Sequence, residues 1–211
     1  MAIAFRGSNA AVFGINSLTP TILAGQVVGD MMVLVTAGKP YNLAWSVSTA
    51  GWTALARGES GTTAAGVDTG SMALQVWYKE ATADPETDPT VTEGTPAFNI
   101  AGAVVLVFSK DAGDSWGTPV VVYGADEVSG TAISVTFASD PGVTVNDLII
   151  AACGINTDAM GPLTGNLTPA QTGVTFGTTT ERTEAESASG GDMSLHATTT
   201  PVNSGTGSAA P

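Results

Sequence analysis

The sequence predicts an all-β fold, an antiparallel β-sandwich of the jelly-roll-like type whose two halves repeat one pattern. Three observations support this prediction: apolar runs of strand length separated by turn residues, no sustained helical stripe, and strand patterns in the first half that recur in the second. The composition agrees with it, since 26 glycines and 11 prolines punctuate segments rich in threonine and valine.

The repeat is clearest where an aspartate precedes an apolar run. Asp30 precedes residues 31–35, and Asp147 precedes residues 148–152. Two further segments correspond in the same way: Gly51-Trp52-Thr53 to Gly173-Val174-Thr175, and Ser71-Met72-Ala73-Leu74 to Asp192-Met193-Ser194-Leu195. Because neither half has enough strands to be stable alone, we expect the halves to interleave in a single sandwich domain over residues 1–197.

Ten segments carry strand patterns, in the order 2–5, 31–36, 52–57, 72–78, 101–108, 119–123, 133–137, 148–153, 174–176 and 193–197. Residues 31–36 are apolar on both faces, which is typical of a strand covered on both sides. Residues 72–78 alternate between two faces, and residues 101–108 form the strongest core pattern. Long loops are predicted at 58–70 and 154–173, between these strands.

The second half lacks a counterpart of the apolar run at 103–108. The sequence therefore predicts a sandwich without its closing strand, with one exposed sheet edge. Three explanations stay open: the natural chain extends further, a neighbouring subunit donates the strand by β-augmentation, or the polar tail shields the edge. That tail, residues 198–211, has the composition of a linker-like segment.

The chain is strongly acidic, with a formal net charge of −13 and only 12% charged residues. Such a surface disfavours nucleic-acid phosphates and anionic membranes as partners, and it keeps crowded copies soluble. The start of the chain has no signal-peptide pattern, and no apolar run approaches the roughly 18 residues of a membrane span. We therefore expect synthesis in a cytoplasm, without an export signal.

Few residues could carry chemistry. Cys153 is the only cysteine and is predicted to be a small buried hydrophobe, while His196 is the only histidine and is expected to be a surface or hydrogen-bonded strand residue. Asp126 and Glu127 are adjacent, so on a strand they would point to opposite faces. The acidic residues at 84–88 are predicted to form a solvated turn and not a calcium loop. These observations predict a protein that is not an enzyme and has no cofactor or metal site.

The tryptophans offer the one predicted binding feature. Trp45 and Trp116 lie in expected loops and are the candidate contacts for a protein partner or a glycan. Trp52 and Trp77 lie in expected strands and are predicted to pack in the core. Core packing or a protein interface is the favoured role for the tryptophans overall, since these rings supply a large contact area.

One pattern resembles a known family. Gly51-Trp52-Thr53, a glycine-rich loop and then Val76-Trp77-Tyr78-Lys79-Glu80-Ala81 are similar to a pattern found in β-sandwich structural proteins of tailed bacteriophage virions, of the capsid-decoration or minor-tail type. The resemblance extends to the Gly-Asp strand at 29–35, the acidic turn at 84–89, Thr90-Val91-Thr92 and the core strand at 103–108. It covers the first half well and the second half loosely.

The resemblance implies a non-catalytic virion structural protein. The leading expectation is an outer capsid decoration or cement protein on the virion surface. The alternatives are a minor tail or tail-tip protein with an adhesion or assembly role, and a carbohydrate-binding module. The expected partners are the major capsid protein or tail proteins and further copies of this chain, with a host-surface glycan as a further candidate, and neither nucleic acid nor a membrane.

Overall fold

The computed structural model describes residues 2–42, 44–62, 64–66, 69–94, 99–125, 134–137, 142–157, 169–189 and 191–205. These residues form thirteen β-strands and no helix, and every strand pair is antiparallel, which confirms the predicted all-β, sandwich-like fold. The strands are β1 (Ile3–Ser8), β2 (Val12–Gly14), β3 (Met31–Lys39), β4 (Trp45–Val47), β5 (Thr53–Ala54), β6 (Gly58–Ser60), β7 (Met72–Glu80), β8 (Val91–Glu93), β9 (Ile100–Lys110), β10 (Leu148–Ile155), β11 (Thr175–Phe176), β12 (Thr180–Ser187) and β13 (Met193–Ser204).

The strands form three sheets. The first sheet has the order β1-β9-β3-β7-β5, with β2 also on β9 and β6 also on β7. The second sheet has β10 and β12 on opposite sides of β13, with β11 beside the end of β13, and the small third sheet is β4-β8. Each half of the chain therefore builds its own sheet, so the expectation that the halves interleave is wrong. They share a core by packing face to face.

The central strands of the first sheet are buried on both faces. Met32 and Leu34 point into an outer core, between the first sheet and the β4-β8 sheet, together with Trp77. Val33 and Val35 point into an inner core, between the first and second sheets. A strand covered on both sides cannot alternate between polar and apolar residues, which is why residues 31–36 read as a continuous apolar run.

The sequence repeat is a repeat of strand register. Met31 pairs with Glu80 in β3-β7, and Leu148 pairs with Pro201 at the corresponding place in β10-β13. The turns before β3 and β10 match as well. The Asp30 carboxylate accepts a hydrogen bond from the Val27 amide at 2.9 Å, and the Asp147 carboxylate accepts one from the Thr144 amide at 2.7 Å. In each turn the residue before the aspartate, Gly29 or Asn146, has a positive φ.

Corresponding residues also touch each other across the inner core. Gly154 corresponds to Ala37, and a Cβ atom on Gly154 would lie 2.6 Å from the Ala37 Cβ. The buried Lys39 ammonium donates to the Gly191 carbonyl, and Asn156, which corresponds to Lys39, donates to the Gly70 carbonyl at 3.0 Å. Gly70 in turn corresponds to Gly191. Such a reciprocal exchange is the mark of an approximate twofold axis between the two sheets.

Several predicted boundaries differ from the structure. Residues 119–123 and 134–137 form no strand, and residue 133 lies outside the described residues. The predicted strand at 52–57 is reduced to β5, and β6 lies inside the predicted loop at 58–70. The prediction of a linker-like tail from residue 198 is wrong for residues 198–204, because β13 continues to Ser204. Residues 206–211 lie outside the described residues.

Candidate functional site

The only cysteine and the only histidine meet on the second sheet. Cys153 of β10 is directly opposite His196 of β13, and His196 is directly opposite Glu184 of β12. Directly opposite residues share a face of the sheet, so these three side chains form a row on the face that points away from the inner core. A cysteine, a histidine and a carboxylate in one row are the residue types of a nucleophilic site, which makes this row the candidate to test.

The electrostatics of the row do not activate a nucleophile. Burial raises the pKa of the Cys153 thiol to about 11, so the thiol is protonated at neutral pH. The Sγ atom lies 3.7 Å from the Gly154 carbonyl oxygen, and neither ring nitrogen of His196 has a hydrogen-bond partner. A catalytic pair needs a hydrogen bond between the nucleophile and its base, and this pair has none.

His196 is not the surface or hydrogen-bonded residue that the sequence predicted. It is 3% exposed, and desolvation lowers its pKa, although Glu181 and Glu186 oppose that shift. Desolvation also raises the pKa of Glu184, reinforced by the negative charges of the same two neighbours. An uncharged imidazole therefore lies beside an acidic strand.

The corresponding residues of the first sheet give this row a structural explanation. Thr36 of β3 and Gln75 of β7 occupy the positions of Cys153 and His196, and they form the same directly opposite pair. The Thr36 hydroxyl donates to the Gln75 carbonyl at 3.2 Å. The first half thus has Thr36 and Gln75 at this pair of positions, and the second half has Cys153 and His196 there. Both sheets use these positions for paired strand residues, which explains the row without a catalytic role.

The described residues contain no group of three histidine, cysteine, aspartate or glutamate side chains that could hold a metal ion. An open cavity of about 470 Å³ lies near the end of β2, and its described lining residues carry no ionisable side chain: Phe13, Gly14, Ile15, Ile100, Ser187 and Ser189.

The structure separates the two tryptophans that were predicted as contacts. Trp45 lies in β4, not in a loop, and is half-buried against the outer core with its ring 6.3 Å from that of Trp77. Trp116 does lie in a loop, half-buried against the inner core. Its Nε1 donates to the Gly29 carbonyl at 2.8 Å, and the Lys110 ammonium lies 5.2 Å from its ring. The two rings belong to different layers and form no common surface.

The acidic turn at 84–88 is solvated only in part: Asp84 is exposed, as predicted, but Glu86 and Asp88 are half-buried and hold loops in place. The Glu86 carboxylate lies 2.6 Å from the Lys79 ammonium, and both side chains are largely buried. Burial opposes ionisation of Glu86, but hydrogen bonds from Lys79, Thr82 and Ala83 outweigh it and lower the pKa of Glu86 from 4.5 to about 2. Asp88 accepts a hydrogen bond from the Ile22 amide at 2.7 Å. These carboxylates hold loops in place.

The strand β5, the strand β7 and the acidic turn are joined in one local assembly. Thr53 of β5 is directly opposite Tyr78 of β7, and Gly51, with a φ of 91°, lies beneath the Lys79 side chain. Lys79 then reaches Glu86 of the acidic turn. The positive φ of Gly51 would strain any other residue, and a Cβ there would also lie 3.0 Å from the Lys79 Cε and displace that side chain.

In the part of the chain that the structure describes, no helix could cross a membrane. Neither family models nor curated proteins nor solved structures give a match to this chain.

Proposed function

We propose that this chain is a non-catalytic structural protein of a bacteriophage particle, and that it decorates the outer capsid as a cement protein. The observation that carries the proposal is the assembly of Gly51, Thr53, Tyr78, Lys79 and Glu86. These are residues of the phage-like pattern, and they contact one another to hold β5, β7 and the acidic turn together. Because these residues stabilise the fold, the resemblance is a resemblance in fold. Proteins of the family with this pattern use that fold as a structural part of the phage particle.

Two further observations support a structural role. The net charge of −13 would keep many copies apart in solution and on a particle surface except where specific contacts form. The row of Cys153, His196 and Glu184 has a protonated thiol and no hydrogen bond between thiol and imidazole. A protein that acts by shape and repeated contact needs no reactive group.

The copy number of the chain tests the proposal. Quantitative mass spectrometry of purified particles should find this chain at hundreds of copies per particle, in proportion to the major capsid protein. Particles that lack the chain altogether would overturn the proposal. Cryo-electron microscopy of the same particles should place the sandwich on the outer capsid at junctions between capsomers.

A minor tail or tail-tip protein is the second candidate, because the same pattern of residues also resembles proteins of that type. A tail component would be present at tens of copies or fewer, and antibodies against the chain would label the tail tip. Copy number therefore separates the two candidates with one measurement.

A carbohydrate-binding role has less support, because Trp45 and Trp116 are half-buried in different layers and would have to act singly. Titration of the protein with a polysaccharide panel should leave its tryptophan fluorescence unchanged. A saturable change that disappears in Trp45→Ala or Trp116→Ala would establish glycan binding instead, with the other variant as the matched control.

A further inference from the structure

The face of β12 that points away from the inner core carries three glutamates. Glu181, Glu184 and Glu186 are directly opposite alternate residues of β13, from Thr198 to Ser194. Alternate residues of a strand share a face, so the three glutamates follow one another along that face at a spacing of about 7 Å. We call these three residues the glutamate stripe.

A β-bulge in β12 creates the glutamate stripe. Glu181 and Glu184 are three residues apart, so in a regular strand they would point to opposite faces. The register of β12 shifts just after Glu181, and this shift brings its side chain to the face of Glu184. Arg182 is turned away, because its Nε donates to the Thr199 hydroxyl at 2.7 Å and its guanidinium lies over the Phe5 ring. The bulge thus aligns the carboxylates and removes the one cation of β12 from them.

The chain supplies no ion-pair partner to the glutamate stripe. It contains six lysines and arginines, and all six belong to the described residues. Four of them form ion pairs with carboxylates elsewhere, and Lys39 donates to main-chain carbonyls between the two sheets. Among the described residues, no lysine or arginine forms an ion pair with Glu181, Glu184 or Glu186.

The first sheet balances the charge at the corresponding positions. β6 pairs with β7 as residues 185–187 pair with β13, so Glu59 corresponds to Glu186 and Arg57 corresponds to Glu184. Arg57 and Glu59 form an ion pair, whereas the second sheet has two glutamates in their places. Desolvation raises the pKa of Glu184, and the charge of Glu181, a hydrogen bond with Glu181 and the charge of Glu186 raise it further.

A buried polar side chain behind the glutamate stripe also lacks a partner. His196 is directly opposite Glu184 and is 3% exposed, and neither ring nitrogen has a hydrogen-bond partner among the described residues. Desolvation lowers the pKa of His196, while the charges of Glu181 and Glu186 oppose that shift, so the ring lies within electrostatic reach of the stripe. Buried polar groups are almost always hydrogen-bonded. An unpartnered imidazole beside carboxylates without a cation therefore indicates a site that a ligand completes.

We propose that the glutamate stripe is a docking site for an extended segment of a partner protein that carries arginines at alternate positions. Every second side chain of an extended segment points to the same side at a spacing of about 7 Å, which matches the stripe. A guanidinium presents five N–H donors in a planar fork that fits carboxylates. It also favours the ionised form of Glu184, whose carboxylate can then accept the N–H of the neutral His196 ring.

This inference goes beyond the proposed function and does not depend on it, since the docking can be tested with the isolated protein. The probe is a fluorescein-labelled peptide, Thr-Arg-Thr-Arg-Thr-Arg-Thr. Its anisotropy should rise saturably with the full chain at about 0.1 M salt, where charges more than about 10 Å apart are largely screened. The control peptide Thr-Thr-Arg-Arg-Arg-Thr-Thr has the same composition with the wrong spacing, and it should bind about tenfold more weakly because it reaches fewer carboxylates.

The position of the bound peptide is tested by nuclear magnetic resonance. His196 is the only histidine, so its imidazole protons give a unique signal. That signal should shift in proportion to the fraction of protein bound to the alternating peptide, because the ring gains a hydrogen bond when Glu184 is ionised.

Matched variants test the carboxylates. Glu184→Gln removes the central carboxylate and should weaken binding of the alternating peptide about tenfold. Glu184→Arg reproduces the arrangement of Arg57 and Glu59, gives the stripe its own cation and should abolish binding. Asp84→Asn removes the same single charge from an exposed residue of the acidic turn and should leave the affinity unchanged. Urea unfolding of each variant verifies that it is folded, and the two peptides test the proposal on the unsubstituted chain in any case.

Four results would overturn the proposal. The first is no saturable binding of the alternating peptide. The second is equal binding of the two peptides, or equal losses in Glu184→Gln and Asp84→Asn, either of which would show attraction to net negative charge alone. The third is an unchanged His196 signal in the complex, which would place the peptide elsewhere. The fourth is one-to-one binding of calcium or zinc that Glu184→Gln abolishes, which would assign the stripe to a metal ion instead.

Discussion

The first and second sheets are built by the same rule from different residues. Both begin with an aspartate-closed turn, both pair a long strand with the next long strand in one register, and both place two further strands on the far side of the second. Few residues are identical between them. What the two sheets share is the position of the aspartate, of the positive-φ residue and of the apolar runs, so these features are sufficient to set turn and register.

The two sheets differ in what covers them. The first sheet has a strand on each edge of β3 and a layer of Trp45, Val47 and Trp52 over its outer face. Among the described residues of the second sheet, β10 has a paired strand on one edge only, and the face turned away from the inner core carries the buried polar side chains of Ser194, His196 and Thr198. A repeated sheet can therefore acquire different surroundings without losing its register. Substitutions at corresponding positions should then change the free energy of unfolding by different amounts, according to how deeply each position is buried.

The largest loss of unfolding free energy is expected for a substitution where the two sheets are joined. Lys39→Met removes an ammonium that donates to the carbonyls of Gly66 (2.9 Å), Asn156 (2.5 Å) and Gly191. One buried acceptor, at Gly191, and two partly buried ones lose this donor, and a buried acceptor left without a donor costs about 1–3 kcal/mol, so the variant should lose about 4 kcal/mol of unfolding free energy in a urea titration. The control Arg57→Met removes an exposed ion pair with Glu59 and should cost less than about 1 kcal/mol. Equal losses in the two variants would contradict the role assigned to Lys39.

The next largest loss of unfolding free energy is expected at one of two corresponding leucines, one in each sheet. Leu195 is fully buried and Leu74, its counterpart, is half-buried. Leu195→Ala should cost about 3 kcal/mol, while Leu74→Ala should cost about 1 kcal/mol, because the cavity left at residue 74 opens to solvent. The measurement is urea unfolding of both variants under one condition. A larger loss for Leu74→Ala would mean that a strand already covers β7, and the contrast between the sheets would disappear.

A smaller effect is expected at the acidic turn of the first half. Glu86→Gln removes charge-assisted hydrogen bonds and should cost about 2 kcal/mol at pH 7. The pKa of Glu86 is lowered from 4.5 to about 2 on folding, so its stabilisation is present above pH 4.5 and is lost as the pH falls toward 2. The loss caused by the substitution should therefore shrink between pH 4.5 and pH 2. A loss that stays constant over that range would contradict the assignment.

The smallest effect is expected at His196 of the second sheet. Its pKa is lowered on folding, so the unfolded chain binds a proton more readily, and stability should fall as the pH drops below about 6.5. His196→Gln should remove this part of the dependence between pH 7 and pH 5, whereas Gln75→His introduces a histidine at the corresponding place in the first sheet. The readout is the unfolding midpoint in urea at each pH. An unchanged slope in His196→Gln would contradict the predicted shift.

Sequence patterns predicted the long strands of both halves because burial on one or both faces leaves a periodic signature. They did not predict a strand at β12, although Gly58-Glu59-Ser60 and Ala185-Glu186-Ser187 occupy corresponding register positions on β7 and β13. Residues 119–123 show the opposite failure. They have a strand-like composition, but a strand also needs a paired neighbour, and no described strand pairs with them as β9 pairs with β1.

The misread end of β13 has a different cause. Its run of threonines resembles a linker in composition, yet Thr199 accepts a hydrogen bond from Arg182 at 2.7 Å and Thr200 shares one with Thr179 at 2.8 Å. Hydrogen bonds between distant residues allow these polar side chains to be buried, and no local pattern reveals such partners. The Cys153–His196 pair was missed for the same reason, since register across strands is not visible in either segment alone.

The exchange between Lys39 and Asn156 has a consequence for how such a molecule could arise by duplication. These residues occupy the same place in the two repeats, and the Lys39 ammonium lies 2.5 Å from the Asn156 carbonyl oxygen. A homodimer of identical single repeats would place two buried ammonium groups side by side at its axis, and their mutual repulsion would oppose association. Once both copies belong to one gene, a single lysine can serve both. Covalent fusion therefore permits a charge at the centre of symmetry that two separate identical subunits could not share.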